Sequence, residues 1–310
     1  SMPYWAGEGP FEQAAGFTKT LVFSSWNMVP DAIAGLLSYL VESKSVTGLE
    51  RKPRYDQLTR QVRARLRFPV KEDGTFAGMN ALTLMFPSRV LADAFDPLQA
   101  FVETGGKASL AEVRANVRER IEVLLPPLPV TSADEFSPPD PRWYWVALIL
   151  LERTGANHAD MRNWCDAHWH RARKGAVADE ESDAHEAEGG FARHVQHWIE
   201  AWDGELPAMR RVPKDLVDVL ADIAIAGPAV CALRALRRVV PETTATFAAL
   251  STSAVQIADG LRHQFNAPEA IAMLQQDEDE AAYWKRVLNY CAQGNLQALL
   301  DEYVHLLHEA

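Results

Sequence analysis

From residue 141 to 309 apolar residues recur at helical spacing in nine successive blocks, over roughly 141–153, 158–172, 190–203, 214–225, 228–239, 243–265, 268–275, 279–292 and 295–309. No block alternates apolar and polar residues at the period of a half-buried strand. Such a stretch folds only by laying helix upon helix, because each amphipathic stripe needs another to cover it. Residues 173–189, "RKGAVADEESDAHEAEG", are polar and poor in apolar side chains, and read as a mobile loop.

Upstream the pattern differs. Thr20 to Ser24 is a short run of mostly β-forming residues, suited to a central parallel strand. A Ser24-Ser25-Trp26 corner follows, then Pro30 in a first helical turn with Asp31 beside it. Ile33, Leu36, Leu37 and Leu40 mark one apolar face of that helix. Ala81 to Phe86, "ALTLMF", reads as a second short strand, closed by Pro87 and followed by a helical pattern from Ser88. Two strand-plus-helix units within about 100 residues suggest a small α/β part. The expected fold is therefore mainly α, with a small α/β part over residues 1–107 and an all-helical domain over 108–310. Ser109 and Glu112 form a capping-box signature at the head of a helix that ends near Pro126-Pro127. The Pro-rich stretch at about 126–141 reads as a linker.

The 310 residues carry a net charge of −11, so any contact with nucleic acid needs a local basic patch. Residues 51–71, "RKPRYDQLTRQVRARLRFPVK", supply one, with eight Lys or Arg and a single acidic residue. A helix expected over Tyr55–Arg67 places Arg60, Arg63 and Arg67 on one side and Leu58, Val62 and Leu66 on another. Arginine forms bidentate contacts to phosphate, so this face, with Arg51, Lys52 and Arg54 before it, is the candidate phosphate-backbone grip. The plain alternative is a solvated charged face.

"FVETGGKAS" lacks the first glycine of a phosphate loop, with Phe101 in its place, and has Ala108 where the magnesium-binding hydroxyl belongs. "DEDE" at 277–280 mimics an acidic helicase box but follows no apolar strand, and reads as a charged helix start. Cys165, His168, His194 and His197 form two i, i+3 pairs that two facing helices could close around zinc; nearby Trp164, Trp169 and Trp198 equally suit an aromatic helical interface. Cys165, Cys231 and Cys291 are sparse and odd in number, which points to a reducing cytoplasm rather than a disulfide framework. No uncharged apolar run approaches 18 residues, so no membrane partner is expected.

The stretch "FTKTLVFSSWNMVPDAIAGLLSYLVE" resembles the start of the second RecA-like lobe in bacterial superfamily 2 helicases, relatives of the Swi/Snf DNA translocases. Lys19, Leu21, Val22, Phe23 and Ser24 match the form of motif IV, and "LTLMFPSRVLADAFDPL" looks like the segment after it. The resemblance covers residues 10 to about 100. It implies a lobe segment followed by a helical insertion. It also implies a DNA phosphate contact at the Ser24-Ser25 corner, with the remaining helicase lobes as partners. The nucleotide-binding loop, the acidic box and the arginine finger of that family have no counterpart here. ATP and Mg²⁺ are thus expected only for a complete parent enzyme, with no cofactor held by this chain. The competing expectation is a helical protein-interaction module without nucleic-acid binding, marked by an apolar groove among the later helices.

Overall fold

The computed structural model describes residues 3–6, 64–129, 137–175, 189–204, 206, 208–240, 245–274 and 281–309. They are mainly helical. The helices are α1 (Met79–Leu82), α2 (Arg89–Ala94), α3 (Pro97–Thr104), α4 (Leu110–Leu124), α5 (Trp143–Thr154), α6 (His158–Ala167), α7 (Gly190–Asp203), α8 (Leu216–Ala226), α9 (Pro228–Val239), α10 (Phe247–Phe265), α11 (Pro268–Leu274), α12 (Tyr283–Gln293) and α13 (Leu296–Glu309). Among the described residues the only β pairing is two isolated bridges, Ala6 with Ser109 and Val70 with Phe76. The expected strand Thr20–Ser24, its helix, most of the loop expected at 173–189 and the acidic stretch 277–280 lie outside the described residues.

The hairpin α8–α9 is the centre of the body. Every residue from Ile223 to Ala235 is buried. The turn between the helices is forced by two residues. A Cβ on Gly227 would sit 2.6 Å from the Ile223 carbonyl, so nothing larger fits. Pro228 then opens α9, where its missing N–H costs nothing. The hairpin is long and apolar enough to cross a membrane by composition, yet 83% of its apolar window lies inside the protein. Around it pack α4, α5 and α12 on α8, and α10, α13 and α2 on α9.

Buried Arg234 pins this centre. Its guanidinium donates to the Ala92 carbonyl near the end of α2 (3.2 Å), the Ala224 carbonyl near the end of α8 (2.7 Å) and Gln297 Oε1 on α13 (2.5 Å). A buried cation is tolerated there because helix C-terminal carbonyls carry partial negative charge. A second polar anchor joins α5 to α2. Glu152 is 2% exposed and accepts from Ser88 Oγ (2.5 Å) and the Val90 N–H (3.0 Å), so it caps α2 together with Ser88. Burial pushes its carboxyl up to about 7, although the hydrogen bonds from Ser88 and Val90 oppose the rise.

Two expectations are corrected. "ALTLMF" is not a strand; it completes α1 and continues as a 3₁₀ turn, Thr83–Met85. A short run buried on all sides has the same composition in either geometry, and here the Thr83 hydroxyl bonds back to the Asn80 carbonyl at 2.6 Å. The helix expected over Tyr55–Arg67 does not extend through its last residues: 64–69 are irregular, because other groups take up their backbone polar atoms. The end of the linker is fixed. Asp140 is 1% exposed, held by the Arg142 side chain (2.6 Å) and the Arg210 N–H (3.2 Å). Burial alone would raise its carboxyl, but these donors hold it down at about 2. The capping box is present, with Ser109 Oγ accepting from the Glu112 N–H and Glu112 accepting from the Ser109 N–H.

Candidate functional site

Of the predicted phosphate-binding residues, Ser24, Ser25, Arg51, Lys52, Arg54, Arg60 and Arg63 lie outside the described residues. Arg67 is described, half-buried, in the irregular stretch where the basic segment joins the helical body.

That junction is tightly made. Asn266, just past the end of α10, accepts at Oδ1 from the N–H groups of Arg65 (3.0 Å) and Leu66 (2.8 Å). Its Nδ2 donates back to the Leu66 carbonyl at 3.1 Å. Arg262, one turn earlier, donates to the same carbonyl at 3.0 Å and to Asp259 at 2.8 Å, with its guanidinium 5.7 Å from the Phe68 ring centre. Leu66 and Phe68 are buried, and Gly78 closes over them. A Cβ on Gly78 would lie 2.4 Å from the Arg67 carbonyl and 2.8 Å from Phe68 Cα.

Residues 3–6, before the basic segment, are held in the same manner. Asn295, between α12 and α13, accepts at Oδ1 from the N–H groups of Tyr4 (2.9 Å) and Trp5 (3.1 Å), and donates from Nδ2 to the Trp5 carbonyl at 3.3 Å. The Trp5 indole adds a bond to the Ala292 carbonyl at 2.9 Å. Asn295 sits at φ 53°, a left-handed conformation that asparagine tolerates better than most residues. Neither asparagine stands out in the sequence. Each follows a helix end, a position that reads simply as a stop signal, and the backbone it holds is 200 or 290 residues away.

The zinc reading of Cys165, His168, His194 and His197 has no geometry behind it. Among the described residues no group of three or more His, Cys, Asp or Glu is placed to hold a metal. His194 uses both ring nitrogens, accepting from the Gly78 N–H at 3.1 Å and bonding the Gly190 carbonyl at 2.8 Å. His197 stacks on Phe76 at 4.3 Å, and Cys165 is fully buried, which pushes its thiol up. These side chains belong to an aromatic interface with Trp145, Trp164, Trp169 and Trp198.

Of the surface depressions among the described residues, two bear on the readings above, beside one of about 520 Å³ lined by Arg114, Arg118, Glu119, Glu122 and Asp218. A cleft of about 630 Å³ lies between α4, α8 and α12. Its charges cancel locally: Arg114 bonds Asp222 at 2.7 Å and Asn289 at 2.7 Å, and Lys285 bonds Asp215 at 2.5 Å and Tyr144 at 2.7 Å. Burial raises the Asp222 carboxyl in spite of Arg114. Arg286 donates to the Ala281 and Leu274 carbonyls. A cleft paired in this way offers no net field to draw a phosphate. The second, an apolar groove of about 320 Å³, is lined by Leu261, Phe265, Met273, Tyr290, Leu296 and Leu299. It runs between the ends of α10 and α12, the two ends that carry the asparagines.

The "FVETGGKAS" stretch ends a helix rather than cradling a phosphate. Gly105 (φ 60°) and Gly106 (φ 73°) close α3 by returning their N–H groups to Val102 and Phe101. Searches of family models, curated proteins and solved structures give no match to this chain.

Proposed function

We propose that this chain is a non-catalytic segment of an ATP-dependent DNA helicase or translocase, contributing a phosphate-backbone contact and a helical accessory domain. Two things support the reading. One is the motif IV resemblance at Lys19 to Ser24. The other, which carries it, is the fixed root of the basic segment: Asn266 and Arg262 seat Arg65–Leu66 on α10. Arg65 and Arg67, at that root, are seated on the helical body, and a moving part needs such a seat if it is to pull on a strand. ATP and Mg²⁺ would belong to the other parts of a parent enzyme, and the Gly105-Gly106-Lys107 stretch is spent on capping α3.

The test is fluorescence anisotropy of labelled single- and double-stranded DNA across a salt series, on this chain and on Arg60/Arg63/Arg67→Glu. Salt-dependent binding is expected. For duplex DNA the triple variant should lower the slope of log affinity against log salt by about 3, at roughly 0.9 per phosphate contact. Absence of wild-type binding at low salt removes the proposal. A second reading then stands, a helical protein-interaction module with no nucleic-acid binding, and the apolar groove at Leu261, Phe265 and Leu296 is the observation that favours it.

A further inference from the structure

The two asparagines repeat one geometry. In each case Oδ1 accepts two consecutive backbone N–H groups and Nδ2 donates to the carbonyl of the second residue. Each asparagine directly follows a helix end or stands one residue beyond it. The second residue held is buried in each case, Trp5 at 1% and Leu66 at 3%. Each has an auxiliary bond, from the Trp5 indole to the Ala292 carbonyl and from Arg262 to the Leu66 carbonyl. A side-chain amide that meets both N–H and C=O of one chain imitates a neighbouring strand. It fixes the direction and register of that chain at the cost of a single residue.

We propose that Asn266 and Asn295 are a matched pair of backbone clamps. They seat the two roots of the stretch 7–63, which contains most of the basic cluster, on the helical body, and each clamp acts on its own root alone. Side-chain packing at Leu66 or Trp5 gives burial but does not fix where the backbone points. The clamps supply that, so they set the direction of the backbone at Tyr4-Trp5 and at Arg65-Leu66. They are positioning residues and make no contact with a ligand themselves. Their effect on DNA rests on the function proposed above; the seating of the roots does not.

The experiment uses the whole chain with Asn266→Ala and Asn295→Gly, singly and together. Glycine at 295 keeps the left-handed turn unstrained, so only the clamp is deleted. The first readout is site-resolved amide hydrogen exchange. Asn266→Ala should speed exchange at Arg65 and Leu66 about tenfold, leaving Tyr4, Trp5 and the α8–α9 amides unchanged. Asn295→Gly should do the reverse. Unchanged exchange at the roots overturns the clamps. So does acceleration that spreads equally through α8–α9, because the asparagines would then be ordinary core stabilisers. The second readout is DNA anisotropy. Clamp loss should weaken binding about three- to tenfold at an unaltered salt slope, since every arginine is still present but the roots at Trp5 and Leu66 are no longer held. Equal affinity in clamp variant and wild type overturns the positioning role. A wild type that binds no DNA overturns the proposed function and the positioning role together, and the exchange result then decides the clamps alone.

Discussion

Glu152 should make this protein less stable as the pH rises from mildly acid to neutral, and Glu152→Gln should abolish that loss. The carboxyl is 2% exposed and is tied to Ser88 and Val90, with no cation bonded to it among the described residues. Burial lifts it from an ordinary value of 4.5 to about 7. The folded state therefore holds the proton more tightly than the unfolded chain does. The corresponding stability is fully present below pH 4.5 and is gone above pH 7. Each pH unit between the two values is worth about 1.4 kcal/mol, so about 3 kcal/mol is at stake. Glutamine keeps the Oε1 acceptor and stays neutral at every pH. The difference in unfolding free energy, variant minus wild type, should thus grow from near zero at about pH 4.5 to about 3 kcal/mol at about pH 8. Burial lowers the pKa of His194 and of His197, so these two act with the opposite sign, losing stability as pH falls below their unfolded value. Their effect is common to both proteins and cancels in the difference. Urea unfolding at half-unit pH steps gives the curve. A difference that stays flat with pH, or a variant less stable than wild type at about pH 8, would refute the reasoning.

Gly78→Ala should destabilise by about 1–3 kcal/mol, because the new methyl would meet the Arg67 carbonyl and Phe68 Cα, both backbone atoms with little room to yield; an unchanged thermal midpoint would show that the 64–78 contact is loose. Ser109→Ala removes half of the α4 capping box and should cost about 1 kcal/mol, with Ser109→Asp restoring most of it. Equal melting of all three proteins would show that the cap is idle.

The helical body was largely legible because its signals are local. Residues 190–203 and 228–239 carry their own start and stop, and their bounds agree with α7 and α9. The Ser109–Glu112 cap is likewise decided within four residues. "ALTLMF" was not legible, since a run buried on every face has no period to betray its geometry. The clamps were not legible for a different reason. Asn295 gains its role only when Trp5 arrives from 290 residues away, and Asn266 only when Leu66 does. His194 and His197 carried a spacing that suits a metal, and the deciding facts, the Gly78 N–H and the Phe76 ring, come from a loop more than 100 residues upstream.

The α8–α9 hairpin has a consequence for how the chain emerges during synthesis. Its apolar surface is covered by α2, α4 and α5, which precede it, and by α10, α12 and α13, which follow it. A nascent chain that has reached residue 240 has made the most water-averse part of the protein but only half of its cover. Another 60 residues must appear before Leu296 and Leu300 can complete the cover. At roughly 5–20 residues per second this leaves the hairpin bare for several seconds, a long exposure for an apolar surface. Chaperone demand during translation should therefore peak in that interval and fall once α13 has been made.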